Sequence, residues 1–497
     1  MSIVGLDLGT TFSAIAYLNE LGKPQIVPNS AGERIMPSAI YFESNERVLV
    51  GQVAINSRQN DVSRSIRWIK REMGNKDFRF KVTEKVYTPA ELSSYIIKKL
   101  MTDSEVIVGP KPDVLITVPA NFEEAARNAT MEAGKIAGFR VIGLVNEPTA
   151  AAFYYAVTNN VTGRTLIFDL GGGTFDVTVA DILPNYDVHV ITSNGDRTLG
   201  GYNIDQRLVD YLEKEYVREK GGTLLGSPED RAILEDYAEE IKIQLSERDK
   251  VPYRLIGPNG RITGELSLEA FNSLIQEEMN RVRMLIDSVL KESHDSPSSI
   301  KNVVLVGGST RLKAVRDFLK SYFKKELIST GNVDEVVALG AALYAGKRMI
   351  EEHSDEVPDS MKSVLDNIPI IVDVCNHSYG TECISFNDVT KRFESINSII
   401  IPKNTPIPCK VEKSDYVTAR DNLKSVTVKV TQGEGEDLDN VTLICEQELT
   451  LPPNTPEDSV FHITYSYDKD QRMECIFEHV DSGKRVTMHL DLNEMED

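Results

Sequence analysis

The chain has 497 residues, 41% of them hydrophobic and 26% charged, enough apolar material for two or three folded domains. Asp and Glu outnumber Lys and Arg by 76 to 55, a formal net charge of −21. Such a surface repels phosphate backbones and argues against a nucleic-acid partner, and no run of about 18 apolar residues offers a membrane span.

The first residues run directly into a strand-like segment, without the basic start, apolar stretch and cleavage site of a secretory signal, so a cytoplasmic protein is expected. From Met1 to about Lys347, β-branched runs alternate with helical patterns. Ile3–Leu8, Asp113–Val118, Thr165–Asp169 and Asn302–Val306 read as buried strands bounded by Gly, Pro or Asp, with helices over Asn121–Ala137 and Pro228–Leu245 between them. That order predicts an α/β protein with helix-covered sheets. Glu351–Asn367 is acidic and polar and reads as a linker, or as a closing helix followed by one. Beyond Ile370 come short alternating strands, such as Ser425–Thr431 and Thr442–Leu449, with Pro and Gly turns between them, the pattern of a β-sandwich of about 120 residues. The expected domains are therefore 1–350, a linker over 351–372, and 373–497. All five cysteines (Cys375, Cys383, Cys409, Cys445, Cys475) fall in the last of these, an odd number without C-x-x-C spacing, which predicts free buried thiols in a reducing compartment rather than a metal site.

One internal similarity organises the first domain. Val4–Thr11 and Ile167–Thr174 share a plan of apolar strand, Asp, Leu, glycine turn and Thr, as a duplicated half would. Glycines in such a turn let backbone N–H groups approach phosphate oxygens, and the carboxylate can hold a hydrated cation. The candidates are Asp7, Gly9, Thr10 and Thr11 in one turn and Asp169, Gly171, Gly172, Gly173, Thr174 and Asp176 in the other. Either alone is also an ordinary tight turn; two related turns facing each other across a cleft are harder to explain that way. No G-x-x-x-x-G-K-[ST] occurs, and Gly340–Lys347 reads as a glycine-containing helix near the domain edge. A third glycine turn, Val303–Arg311, presents Gly307, Gly308 and Arg311 to a base or ribose, or else simply starts a helix with Ser309 as its cap.

GLDLGTTFS (Gly5–Ser13), NEPTAAA (Asn146–Ala152), DLGGGTFD (Asp169–Asp176), NGDRTLGG (Asn194–Gly201) and VLVGGSTR (Val304–Arg311) stand in the order and spacing of the 70-kilodalton heat-shock chaperone family, which the chain resembles closely to about residue 345 and more weakly to about 490. The resemblance implies an actin-like, two-lobed ATPase domain closing on Mg-ATP, followed by a β-sandwich that binds extended peptides. It assigns Asp7, Glu147 and Asp169 to magnesium and its waters, Lys70 to the γ-phosphate, and Thr174 and Asp176 to that phosphate and the attacking water. Gly200, Gly201, Gly307, Gly308 and Ser309 fall within matched glycine motifs. Glu239, Lys242 and Ser246 match an adenosine clasp, completed by Arg311 and Asp334. By spacing alone the three clasp residues are a solvated helix face, and Trp68 with Lys70 an amphipathic helix pair.

Pro119, Arg127 and Asp373 match positions that relay nucleotide state between domains; alone, the first two read as a loop proline and a solvated helical arginine. Thr381, Ile384, Tyr416, Ala419, Val426 and Val428 match the peptide groove, and alone read as plain sandwich core. The resemblance further implies unfolded polypeptide clients, a J-domain co-chaperone and a nucleotide-exchange factor. This sequence departs from the pattern in a shortened stretch after Lys70, in Pro369 of the linker, in Thr381 at an aliphatic pocket position, and in stopping at Asp497 where a helical lid usually follows, so a lidless chain with fast client release is expected. The leading expectation is an ATP-dependent chaperone. The alternatives are a nucleotide-sensing scaffold with one fixed partner and little turnover, or a small-molecule kinase or filament-forming ATPase of the same fold.

Overall fold

The computed structural model describes residues 3–44, 46–353, 368–388, 390–469 and 472–490. Residues 354–367 of the expected linker and the tail from 491 lie outside the described residues. The chain divides into two units, Met1–Asn121 with Ala129–Ile371, and Phe122–Asn128 with Val372–Asp497.

The first unit is two-lobed and α/β, built on two sheets of one plan. In the first, Ile3–Asp7 pairs in parallel with Asp113–Val118 and antiparallel with Phe12–Leu18. In the second, Gly163–Leu170 pairs in parallel with Asn302–Val306 and antiparallel with Phe175–Ile182. Each Asp-bearing strand thus sits centrally and leaves its sheet by a hairpin, the duplication expected from the sequence. The strands are buried on both faces, Asp113–Val118 at every position, which is why they read as unbroken apolar runs. Alternate residues feed different cores: Leu166, Phe168 and Leu170 pack with Tyr216, Phe271 and Leu305, while Ile167 packs with Phe153, Tyr155 and Val304.

The helix Val336–His353 corrects one expectation. Gly340–Lys347 is helical but not peripheral: a Cβ on Gly340 would lie 1.9 Å from the carbonyl oxygen of Ala150 in the helix Glu147–Asn159. Small residues here let two helices and the strand Ile3–Asp7 approach at backbone distance, as one core. After Lys70, the shortened stretch forms a two-stranded hairpin, Phe80–Val82 with Lys85–Tyr87, and then the helix Pro89–Val108, closed at its start by reciprocal Thr88 and Glu91 hydrogen bonds. The helix predicted from Asn121 begins only at Glu124.

Residues 368–371 belong to this unit. Ile368 is buried and its carbonyl accepts from Lys347 Nζ at 3.0 Å. Ile370 donates to Asp187 Oδ1 at 2.7 Å and accepts from Val188 N at 2.9 Å. The donor that Pro369 lacks is not called on, because its neighbours supply the contacts.

The second unit holds two antiparallel four-stranded sheets. One runs in the order Arg392–Ile401, Tyr379–Asn387, Ser425–Gln432, Thr442–Thr450, the other Cys409–Val417, Val460–Tyr467, Met473–His479, Lys484–His489. Every second residue of Met473–His479 is buried, and Val428, Val430 and Leu449 meet Phe461, Ile463, Tyr465 and Phe477 in one core. Among the described residues no α-helix follows His353. All five cysteines are free; Cys375 and Cys475 are buried and the other three half-buried.

Candidate functional site

The two Asp-glycine hairpins meet tip to tip. Gly172 faces Thr11 so closely that a Cβ there would lie 1.8 Å from Thr11 Oγ1, and a Cβ on Gly173 would lie 2.4 Å from Thr10 Cγ2. Only glycine permits this approach. Ser309, from the third glycine turn, donates to the carbonyl of Gly171 at 2.9 Å. Ser309 therefore ties the third turn to the second hairpin. It does not cap the next helix, whose N-cap is Leu312.

Around these tips opens a cleft of about 850 Å³, within the size range of small-molecule sites. Asp7, Gly9, Thr10, Thr11, Lys70, Glu147, Asp169, Gly171, Gly172 and Thr174 line one end. Glu239, Lys242, Ser246, Gly307, Gly308, Ser309, Arg311 and Asp334 line the other. The structure therefore gathers around one cavity residues that the sequence scatters over more than three hundred positions. Gly173, Asp176, Gly200 and Gly201 do not line it: Asp176 is buried opposite Asp169 in the hairpin register, and the glycines pack the turns together.

At the first end, acid and base are concentrated. Lys70 is buried on a 3₁₀ turn, Ile69–Glu72, and not on an amphipathic α-helix; its Nζ pairs with Glu147 Oε1. Glu147 is the first residue of its helix, where a carboxylate also meets unpaired N–H groups. Burial and the charge of Glu147 push the Asp7 carboxyl up to about 7, against Lys70 and a 2.9 Å hydrogen bond from Thr117 Oγ1. Burial, with Glu147, Asp176 and Asp7 nearby, pushes Asp169 well up too. Burial works against the Lys70 charge, yet Glu147 and Asp7 raise its pKa above the ordinary value. Three carboxyls, Asp7, Glu147 and Asp169, meet one ammonium here, and hard oxygen donors of this kind suit a magnesium ion that keeps most of its waters.

At the other end, Glu239, Lys242 and Ser246 project from the helix Pro228–Leu245 and its final turn, the first two held by partners from distant segments and Ser246 bonding back to the carbonyl of Lys242 at 3.3 Å. Lys242 Nζ reaches Asp205 Oδ2 at 2.7 Å, and Arg67 Nη2 reaches Glu239 Oε2 at 2.8 Å. The solvated-face reading is thereby corrected for Glu239 and Lys242. Arg311 Nη1 pairs with Asp334 Oδ2 at 2.7 Å while its side chain stays 43% exposed beside the cleft. Three supporting residues escaped sequence reasoning: Thr117, Asp205 and Arg67. Thr117 was within reach, as the residue of a buried strand facing Asp7 across a parallel pair; the other two carry no local signal.

The remaining predicted residues lie away from this cleft. Pro119 follows the strand Asp113–Val118 and is buried. Arg127 is 2% exposed and donates to the carbonyl of Phe122 at 3.1 Å, so it is not a solvated arginine. Asp373 is buried, its Oδ1 accepting from Val374 N at 2.9 Å. In the sandwich, Thr381 is buried and donates to the carbonyl of Lys429, and Val428 joins the core. Val426 and Tyr416 are half-buried, Tyr416 Oη lying 2.7 Å from Ser398 Oγ, while Ile384 and Ala419 are exposed.

The family described as Hsp70 protein matches residues 3–494. The chain belongs to the Hsp70 family. It is similar to the chaperone protein DnaK of Thermotoga petrophila, with 33% identity over 496 residues, 98% of this chain and 80% of that one. The chaperone proteins DnaK of Thermosipho melanesiensis and Thermosipho africanus are each 34% identical over 495 residues, 98% of this chain and 79% of theirs. Hsp70 family members are chaperones and ATPases that use ATP or ADP with Mg²⁺. No helix among the described residues is long and apolar enough to cross a membrane.

Proposed function

We propose that this Hsp70-family chain binds and slowly hydrolyses Mg-ATP in the two-hairpin cleft and couples that cycle to binding of extended apolar peptide segments by its β-sandwich, in the cytoplasm. The observation that carries the reading is the pair of opposed glycine tips beside a buried lysine set among carboxylates. Backbone amides of Gly9–Thr11 and of Gly171, Gly172 and Thr174 would cradle phosphate oxygens. Asp7 and Asp169 would hold magnesium, largely through water, and the ion when bound supplies charge neutralisation at the phosphates. Lys70 would stabilise charge on the transferring phosphoryl group, and Thr174 orient the attacking water, with Glu147 keeping Lys70 in place. Asp176, behind Asp169, would act through it. Glu239, Lys242 and Ser246, with Gly307, Gly308, Arg311 and Asp334, would hold the adenosine.

In the sandwich, Ile384, Tyr416, Ala419 and Val426 offer exposed or half-exposed surface to a peptide paired through its main chain. J-domain and exchange-factor partners belong to this reading, as do Pro119, Arg127 and Asp373 in coupling. The burial of Thr381 and Val428 favours, as a second reading, a nucleotide-sensing scaffold with one fixed partner. Calorimetry with ATP, with and without magnesium, tests the cleft: no magnesium-dependent binding refutes the reading. Anisotropy of a labelled apolar peptide separates the two forms, because a chaperone loses peptide affinity when ATP is added and a fixed scaffold does not.

A further inference from the structure

Arg67 closes the strand Ser65–Arg67, and its side chain is only 9% exposed. Its guanidinium lies 4.4 Å from the ring centroid of Trp68, which Arg58 approaches from 5.7 Å and against which Tyr202 packs at 4.7 Å. Trp68 is itself left-handed, φ 59°, a conformation rare for a bulky residue. From this platform Arg67 reaches the helix Pro228–Leu245 with both arms, Nη1 to Asp236 Oδ1 and Nη2 to Glu239 Oε2, each at 2.8 Å. Arg58 takes the other contacts on that helix face, Glu235 at 2.8 Å and Asp236 at 2.7 Å. Glu239 lines the cleft with one oxygen committed to Arg67, and Lys242, one turn on, is anchored by Asp205. Burial opposes the Glu239 charge, but Arg67 and then Lys242 hold its carboxyl below the usual range.

We propose that Arg67, braced on Trp68, is a positioning residue that turns Glu239 so that its second oxygen, beside the Lys242 ammonium, accepts a hydrogen bond from a ligand hydroxyl. A carboxylate next to an ammonium offers a hydroxyl both an acceptor and a donor, and a charged acceptor held in place discriminates against an analogue lacking the group. The inference rests on the nucleotide reading, in which the hydroxyls available are those of the ribose.

The test measures binding of ATP, 2′-deoxyATP and 3′-deoxyATP, with magnesium, to the full chain and to Arg67→Ala, Arg67→Gln and Arg67→Lys, by calorimetry. The parent chain should prefer ATP over at least one deoxy analogue by about tenfold, the usual contribution of a charged hydrogen bond. Arg67→Ala and Arg67→Gln should weaken ATP alone, bringing that ratio close to one. Arg67→Lys should recover part of it, since an ammonium can pair with Glu239 but cannot fork to Asp236 as well. Equal weakening of ATP and both analogues would make Arg67 a brace between lobes and overturn the proposal, as would an unchanged ratio. If the alanine variant does not fold, the glutamine variant carries the same comparison. A parent chain that binds ATP without regard to its hydroxyls sinks the Arg67 role alone, whereas one that binds no nucleotide sinks the reading of the cleft.

Discussion

Replacing Lys70 by alanine removes the ammonium that Glu147, Asp7 and Asp169 share. Lys70 and Glu147 side chains are 4% and 9% exposed, so solvent cannot screen the charge left behind. Truncating one partner of such a buried pair costs about 3–5 kcal/mol. For a unit of this size that is a fall of about 5 °C in unfolding midpoint. The measurement is thermal unfolding in chelator-treated buffer for the parent chain, Lys70→Ala, Glu147→Gln and the double variant. The double variant should be more stable than Lys70→Ala, because the orphaned carboxylate has become neutral, and the two changes should depart from additivity by about 2 kcal/mol. Single-turnover ATP hydrolysis should also fall at least about 100-fold in Lys70→Ala. A Lys70→Ala chain that melts with the parent, or a double variant whose losses simply add, refutes the charge-sharing argument.

Gly340→Ala should lose about 3 kcal/mol or more in a denaturant titration, because the new methyl meets the carbonyl of Ala150, whereas Gly331→Ala, with nothing within 4 Å, should be neutral. In the sandwich, Val428→Ala should cost about 2 kcal/mol from the core, while Ile384→Ala, at a position 60% exposed, should leave stability unchanged to about 0.5 kcal/mol and affect only peptide binding. Alkylation followed by peptide mass mapping checks the thiols. A hydrogen bond from Cys375 lowers Cys409 to about 7, so its reaction should rise with pH up to that point and level off above it. Burial raises Cys445 to about 11, so its reactivity should still be climbing at pH 9.

Where a segment's fate is local, the sequence reads it well. Asn302–Val306 and Asp113–Val118 are strands over those residues because Gly, Pro or Asp bounds an apolar run, and Pro228–Leu245 is a helix with Ser227 and Pro228 at its start. The hairpin pair was legible because Asp, Gly and Thr recur in one order. What escaped depends on residues far apart along the chain. Arg67 meets Glu239 across 172 positions, and Lys242 meets Asp205 on a different helix. Trp68 takes a left-handed turn and a 3₁₀ turn follows over Ile69–Glu72, so the helix-pair reading of Trp68 and Lys70 failed. Gly340 read as part of a helix near the domain edge because nothing local marks its partner; its missing side chain lets another helix in.

The chain's single tryptophan is Trp68, packed by two arginines and a tyrosine, one of the arginines bound to Glu239 of the cleft wall. Excitation near 295 nm therefore interrogates one indole in one place. Any change in its emission on adding a ligand originates in that cluster, and stopped-flow recording follows it without an attached dye.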